Sequence, residues 1–385
     1  MRGPMNFELS DEQRAIRDLA RTFAREEVAP RARHIDANTE FDWGLHAKLG
    51  QLGFLAMTAP EAYGGSSADT LTWCLVVEEI AKASSAVANG LTLTESMVHY
   101  LIMLGSEEQK TKHIPALARG EKICSFCLTE PNAGSDAASV QTVVVDEGDC
   151  YVLNGEKTFI SGALLADCFI VVATVDRTQR SKGVRTFLVE KDTPGLTVGS
   201  KLDLLGIRGF GTAPVSFDNC RIPKHARLGG EDGFRTVMRG LDGAGRLGAT
   251  AMAVGTAQAA MNEALGYALE RKQFGERIFD FQAVHHMLAD MAIEIEAARL
   301  LMFKAATLRD TGQAFSFHSS LAKTFAGDMC MRCTTNAMQI FGGYSYSKEL
   351  NVERYFRDAK IHQIWDGTNQ IQRMIIARHL RTEMT

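Results

Sequence analysis

The residues with the clearest potential for chemistry lie near the C-terminus, in Ile364-Trp365-Asp366-Gly367-Thr368-Asn369-Gln370. Asp366-Gly367-Thr368 predicts a tight turn, because Asp and Gly favour turns. A carboxylate in such a turn could take part in acid–base chemistry. It could also cap the helix that follows, as Thr368 is expected to do. Taken alone, this segment favours the cap.

Three other segments carry candidate binding groups. The run 126–136 leaves a strand and enters a loop of small residues, whose backbone N–H groups could hold phosphate or simply form a turn. Asn154-Gly155 predicts a hairpin turn, and the aromatic and hydroxyl residues of 157–162 follow it. Arg271 lies where a helix is expected to end before Gly275, and could bind phosphate or offset the helix dipole.

Two motifs match known binding sequences, but their sequence context does not support those functions. The segment Gly243-Ala244-Gly245-Arg246-Leu247-Gly248 matches the dinucleotide fingerprint, but it lies in a helical pattern with no strand before it. The Cys-x-x-Cys pairs at 124/127 and 330/333 lie far apart, in a strand-like run and a helical run respectively. We therefore expect no metal and no disulfide, but buried thiols in a reducing compartment.

The elements that must position these groups fall into three parts. Helical spacing dominates the first, short Val/Ile/Thr/Phe-rich runs the second and long helical patterns the third. The predicted fold class is a multidomain α+β protein. It comprises a helical domain (1–120), an antiparallel β-barrel or sandwich (121–230) and a four-helix bundle (231–385). The expected long helices cover 231–271, 280–311, 314–341 and 368–382.

Composition excludes several classes of function. The 385 residues carry a net charge of −4, and no Lys/Arg run suggests a nucleic-acid partner. No apolar stretch reaches the roughly 18 residues of a membrane span. No apolar signal region precedes the first predicted helix, which begins with the capping box Ser10-Asp11-Glu12-Gln13. The expected location is therefore the cytoplasm.

Five segments together, in their order, spacing and helix–strand–helix layout, resemble the acyl-CoA dehydrogenase family over essentially the whole chain. They are Leu128-Thr129-Glu130-Pro131 through Gly134-Ser135-Asp136, Asn154-Gly155-Glu156-Lys157, Arg271-Lys272-Gln273-Phe274-Gly275, Gln339-Ile340-Phe341-Gly342-Gly343, and Arg357-Asp358-Ala359-Lys360 through Gly367-Thr368.

The resemblance implies FAD as cofactor. It places the isoalloxazine among aromatic and hydroxyl side chains, with Ser161 where the family usually has Thr. It places the FAD pyrophosphate and adenosine at a subunit interface, which implies an obligate oligomer, typically a homotetramer. The implied isoalloxazine residues are Phe126, Thr129, Phe159 and Ser161, and those for the remainder of FAD are Ser135, Arg271, Gln273, Phe274, Gln339, Gly343, Thr368 and Gln370.

The implied reaction is α,β-dehydrogenation of an acyl-CoA thioester, with electron-transferring flavoprotein as acceptor. A base removes the α-proton while the β-hydrogen leaves as hydride to flavin N5. Asp366 occupies the position of the base, its N–H and a ribityl hydroxyl would stabilise the enolate, and Arg246 matches a supporting arginine. Arg246 could instead be a surface helix residue. The implied substrate contacts are Glu95, Ser135, Trp365 and Gly367.

Asp366 departs from the family pattern, in which this turn normally carries Glu. Aspartate is shorter by roughly 1.5 Å, which in a poised site can cost on the order of 10²-fold in rate. Asp366 could still be the base, with a branched, cyclic or bulky substrate.

Two alternatives to Asp366 as the base of a dehydrogenase remain open. The base could lie elsewhere. Gly245, at a second base position of some relatives, has no side chain. Glu95 is another candidate base, but it could instead bind a polar group of the substrate or face solvent. The segment around Gly245 is also one residue longer than the family pattern. The chain could otherwise resemble oxygen-using nitroalkane oxidases, which have an aspartate base, or be a non-catalytic flavin binder.

Overall fold

The computed structural model describes residues 8–383, and its chain begins with helices. Ser10 and Gln13 form the predicted capping box, with N···O distances of 3.1 and 3.0 Å. None of the helices within the described residues is long and apolar enough to cross a membrane. The first helices are α1 (Asp11–Phe23), α2 (Ala29–Asn38), α3 (Trp43–Gln51), α4 (Thr70–Ala83), α5 (Ser85–Leu104) and α6 (Glu107–Ala118).

The junction between α1 and α2 is continuous. A π-helical turn, Ala24–Val28, carries the chain directly from α1 into α2. Pro30 therefore lies in the first turn of α2, directly after the π-turn; proline and π-bulges both interrupt the regular α-helical hydrogen-bond ladder.

A single eight-stranded sheet follows, in the order β6-β7-β3-β2-β4-β5-β8 with β1 beside β4. Most pairings are antiparallel, as expected, but β1 and β4 run parallel, and β2 also meets β4 in parallel at one position. The strands are β1 (Cys124–Cys127), β2 (Val143–Asp146), β3 (Cys150–Ile160), β4 (Cys168–Thr174), β5 (Val184–Glu190), β6 (Leu196–Val198), β7 (Ala213–Pro223) and β8 (Arg227–Leu228).

The predicted hairpin turn at Asn154-Gly155 is wrong. Both residues lie inside β3, where the register with β7 shifts between Leu153 and Gly155. Gly155 has φ 152°, and a Cβ there would lie 2.6 Å from Cα of Thr142. Glycine is needed for a bulge and a close approach of two strands, and the same residue type also marks turns.

Long helices return after the sheet and pack against one another. The core of α8, α9 and α10 is built largely from Ala, Met and Cys side chains, and α4 packs on α8. The elements are α7 (Gly233–Gly240), α8 (Arg246–Glu270), the short strands β9 (Lys272–Gln273) and β10 (Glu276–Arg277), α9 (Gln282–Asp310), α10 (Ser316–Phe341), α11 (Val352–Ala359) and α12 (Asn369–Glu383).

A π-helical turn, Leu241–Gly245, joins α7 to α8. A π-turn accommodates one residue more than an α-turn, so it accounts physically for the extra residue that the sequence suggested here. The dinucleotide-like motif thus lies in continuous helix, preceded by α7 and not by a strand. The prediction that it is not a dinucleotide site is consistent with this geometry.

Two glycines of α8 provide a matched test of the α4–α8 packing. A Cβ at Gly255 would lie 2.4 Å from the carbonyl oxygen of Glu78 in α4, whereas one at Gly266 would meet nothing within 4 Å. We expect Gly255→Ala to destabilise the protein by about 1–3 kcal/mol through overpacking. We expect Gly266→Ala to stabilise it by about 0.5–1 kcal/mol through helix propensity. Thermal denaturation of both variants checks this, and equal shifts would contradict the packing described.

Candidate active site

The turn between α11 and α12 holds its backbone in the left-handed region at two consecutive residues. Asp366 has φ 52° and Gly367 has φ 86°. Thr368 then accepts a hydrogen bond from the N–H of Ile371 at 3.2 Å, so Thr368 caps α12 as predicted. The alternative in which Asp366 is also a cap finds no support, because no hydrogen bond to its side chain occurs among the described residues.

Two buried side chains hold the carbonyl groups of this turn. Lys323, on α10, donates from Nζ to the Gly367 oxygen at 2.8 Å. Gln372, on α12, donates from Nε2 to the Asp366 oxygen at 2.9 Å and to the Gly367 oxygen at 3.1 Å. Sequence analysis did not single out Lys323; its signal was a lone lysine among the apolar positions of a helical pattern.

The carboxyl group of Asp366 lies against the start of α8. A Cβ at Gly245 would be 3.1 Å from its Oδ1, so the two alternative base positions of the sequence adjoin each other in space. Burial raises the pKa of Asp366, and the nearby cations of Lys323 and Arg246 oppose that rise. A raised pKa makes the carboxylate a stronger base, which suits proton abstraction.

Arg246 is buried, so the alternative of a surface helix arginine is wrong. Its guanidinium pairs with Asp242 and donates to Ser320 Oγ at 3.2 Å. Burial lowers the pKa of Arg246, while Asp242 and Asp366 raise it. Arg246 thus contributes positive charge beside Asp366 from a fixed position in the first turn of α8.

The residues predicted to contact isoalloxazine come from β1, β3 and the segments that follow them. Phe126 stacks on Tyr100 of α5, with ring centroids 4.9 Å apart. The N–H of Thr158 bonds the Thr129 oxygen at 2.9 Å, which places Thr129 beside Phe159. Phe159 has φ 55° and is 63% exposed. An exposed aromatic ring in a strained conformation is unexplained by the monomer's own packing.

A buried ion pair joins the two segments that carry the residues predicted to contact isoalloxazine. Lys157 Nζ lies 2.7 Å from Glu130 Oε1 and also donates to the Leu128 oxygen at 3.2 Å. Glu130 accepts further hydrogen bonds from the N–H groups of Gln141 and Thr142, at 2.5 and 2.9 Å. The conspicuous charged residues of both motifs therefore position their neighbours, including Thr129 and Phe159.

The residues predicted for the FAD pyrophosphate lie on an exposed hairpin. Helix α8 ends at Glu270, so Gly275 (φ 86°) is not the expected helix stop but forms the β9–β10 turn with Phe274 (φ 55°). Phe274 is 96% exposed, and the Arg271 guanidinium lies 5.6 Å from the Tyr344 ring centroid. Gln273, Gln339 and Gly343 are also exposed. This surface is available to a second subunit.

The remaining predicted residues differ in their burial and in their contacts. Ser135 and Gln370 are exposed, and Trp365 lies edge-on to the His362 ring at 5.2 Å with its buried Nε1 unpartnered within the described residues. Glu95 is 0% exposed and bonds the Thr58 hydroxyl and N–H, so the alternative in which it faces solvent is wrong. Glu95 is bonded to Thr58, and among the described residues no hydrogen bond joins it to the Asp366-Gly367 turn.

The sequence matches three family models in chain order. They are the N-terminal domain of acyl-CoA dehydrogenase over residues 10–121, the middle domain over 125–220 and the C-terminal domain over 231–381. The chain belongs to the acyl-CoA dehydrogenase family.

Curated acyl-CoA dehydrogenases are similar over the full length. The chain is 44% identical to a probable acyl-CoA dehydrogenase of Bacillus subtilis (YngJ), covering 98% of this chain and 100% of the relative. It is 42% identical to the short-chain-specific acyl-CoA dehydrogenase of Clostridium acetobutylicum, covering 97% and 99%.

Solved structures of acyl-CoA dehydrogenases and related flavoproteins share the fold. Butyryl-CoA dehydrogenase from Megasphaera elsdenii superposes with a TM-score of 0.95 at 41% identity, covering 98% of this chain and 100% of that one. A chain in a structure of the electron-transferring flavoprotein of Acidaminococcus fermentans gives 0.95 at 42%, covering 98% and 99%. PigA with FAD and proline gives 0.94 at 30%, covering 98% and 99%.

Replacing Lys157 tests whether the Glu130–Lys157 ion pair holds together the two segments predicted to contact isoalloxazine. We expect Lys157→Met to leave the buried Glu130 carboxylate unpaired and to destabilise the protein by about 3–5 kcal/mol. FAD retained after gel filtration should fall in parallel. The control is Lys112→Met, which removes an exposed ion pair with Glu190 (2.7 Å) and should change the melting temperature little. Equal melting temperatures for the two variants would contradict the assigned role of the buried pair.

Proposed function

We propose that this protein is an FAD-dependent dehydrogenase that removes the α-proton and β-hydride of an acyl-CoA thioester, with Asp366 as the base. One observation carries the proposal: in this member of the family, the partly buried Asp366 carboxyl lies against Gly245 and near the cations of Lys323 and Arg246. The proposed catalytic pair is Asp366 and Arg246. The expected product is the 2-enoyl-CoA.

In the proposed reaction, each group in and around the Asp366-Gly367 turn has a separate role in proton abstraction. The raised pKa of Asp366 brings its basicity closer to that of the thioester α-carbon. The Asp366 N–H would stabilise the developing enolate oxygen, because a backbone donor fixed in this turn needs little reorganisation. Trp365 and Gly367 flank the carboxyl and are proposed substrate contacts, together with Ser135. Arg246 supplies positive charge near the reacting atoms.

The fit of FAD is supported by groups that the described residues leave exposed or without a hydrogen-bond partner. Phe159 offers an exposed ring, Trp365 an unpartnered buried Nε1, and Thr129 and Ser161 lie on the segments joined by the Glu130–Lys157 pair. When bound, FAD supplies the hydride acceptor. The exposed hairpin around Phe274 is proposed to complete the FAD site of a neighbouring subunit in a homotetramer.

The substrate is proposed to be a short or bulky acyl-CoA, and the electron acceptor to be electron-transferring flavoprotein. Aspartate has less reach than glutamate, so the α-carbon must lie close to the turn. Gly245 has no side chain, and a Cβ there would lie 3.1 Å from Asp366 Oδ1, so the missing side chain leaves space for the carboxyl itself. The similarity to the short-chain-specific and butyryl-CoA enzymes supports short chains, and the similarity to the Acidaminococcus structure supports the acceptor.

Replacing the base tests the proposal directly. We expect Asp366→Asn to retain FAD but to lose anaerobic flavin bleaching by acyl-CoA, by at least about 10³-fold in rate. Stopped-flow absorbance with straight, branched and cyclic acyl-CoAs measures this. A nitroalkane serves as a further substrate. Full bleaching by Asp366→Asn, or wild-type bleaching by the nitroalkane alone, would contradict the proposed function.

A further inference from the structure

Lys323 is a buried cation whose ammonium group contacts the Asp366-Gly367 turn. It lies on α10 and is only 1% exposed. Its Nζ donates to the Gly367 oxygen at 2.8 Å and to Asn369 Oδ1 at 3.0 Å. Both acceptors are neutral, and among the described residues no carboxylate oxygen lies within salt-bridge distance of Nζ.

A buried ammonium without a paired carboxylate is costly, and an apolar side chain such as Met would fill the same space. The cost is partly offset by Asp366, whose negative charge favours the protonated lysine. Burial nonetheless lowers the pKa of Lys323 to about 8, and the charge of Arg246 lowers it further while Asp328 opposes. The positive charge of Lys323 is therefore directed mainly at the carboxyl of the turn it holds.

Other charged and titratable groups face this pair from neighbouring elements. Arg246 and its partner Asp242 approach from the start of α8, and Tyr100 approaches from α5. His362 lies before the turn; burial and then Lys323 lower its pKa to about 3, so it stays neutral at physiological pH. Asp328 is on α10 itself and is bonded to Arg373, Asn369 and Gln363.

Gln372 shows how the turn could be held without a charge. It donates to the Asp366 and Gly367 oxygens and is also fully buried. Lys323 and Gln372 thus share an acceptor, the Gly367 oxygen, but differ in charge. This difference separates a purely structural role from an electrostatic one.

We propose that Lys323 is a positioning residue for the reaction, which fixes the Asp366-Gly367 turn through the Gly367 carbonyl and keeps the Asp366 carboxyl ionised. The inference rests on the proposed function, in which Asp366 acts only as the carboxylate. Opposite charge nearby favours the ionised form of an acid. Removing the ammonium therefore leaves the burial of Asp366 opposed by Arg246 alone, and its pKa rises further.

The test is the pH dependence of anaerobic flavin bleaching by acyl-CoA in FAD-loaded protein. The variant Lys323→Met loses both the charge and the hydrogen bonds, whereas Gln372→Met loses hydrogen bonds to the same turn without a change of charge. Activity falls as pH drops through the pKa of Asp366. We expect this acidic limb to move upward by about 1 pH unit in Lys323→Met. Gln372→Met should bleach more slowly with an unshifted limb.

Two further variants keep the result decisive if Lys323→Met fails to retain FAD. Lys323→Gln keeps a donor without the charge and should also shift the limb upward, whereas Lys323→Arg keeps the charge and should leave it near the wild-type position. An unshifted limb in Lys323→Met, or in Lys323→Gln where Met does not fold, would overturn the proposal. An equal shift in Gln372→Met would do the same.

Asp366→Asn separates failure of this inference from failure of the proposed function. If Asp366→Asn bleaches normally, Asp366 is not the base and the proposed function fails. If Asp366→Asn is inactive while the lysine variants keep the wild-type limb, only the role of Lys323 fails.

Discussion

The Asp366-Gly367 turn depends on a backbone conformation that one of its two residues, Asp366, adopts at a cost in free energy. Asp366 and Gly367 are both left-handed, and for a residue with a Cβ this conformation costs roughly 1–2 kcal/mol. Hydrogen bonds from Lys323 and Gln372 to the two carbonyl oxygens oppose that cost. In this conformation the Asp366 carboxyl lies against the start of α8. The other groups of the candidate site lie around that carboxyl.

Two parts of the molecule supply the candidate site. The helical part supplies Asp366, the cations near it and the π-turn whose Gly245 lies against its carboxyl. The sheet supplies Phe126, Thr129 and Phe159, which the Glu130–Lys157 pair holds in register. Tyr100 connects the two parts, because it stacks on Phe126, bonds the Val237 oxygen at 2.8 Å and lies within electrostatic range of Asp366.

Local signals predicted much of this arrangement. Helical periodicity and the Ser10 and Thr368 caps located most helices, and the order of helices, strands and long helices gave the fold class. The errors at Asn154-Gly155 and Gly275 share a cause: glycine marks turns, bulges and helix ends alike, and only strand pairing or helix length distinguishes them. Lys323, Gln372 and the Glu130–Lys157 pair were not predicted as a support for the site. Their roles depend on contacts between residues distant in the chain, and single-residue patterns do not record such contacts.

Removal of the α-proton by Asp366 is tested most directly with a substrate that cannot transfer a hydride. An acyl-CoA with no β-hydrogen, such as 3,3-dimethylbutyryl-CoA, should still exchange its α-protons when incubated with the FAD-loaded enzyme in D₂O. Mass spectrometry of the recovered thioester measures the deuterium gained at the α-carbon. The account predicts incorporation above the enzyme-free rate with the wild type and none above it with Asp366→Asn. Equal incorporation by both proteins would contradict it.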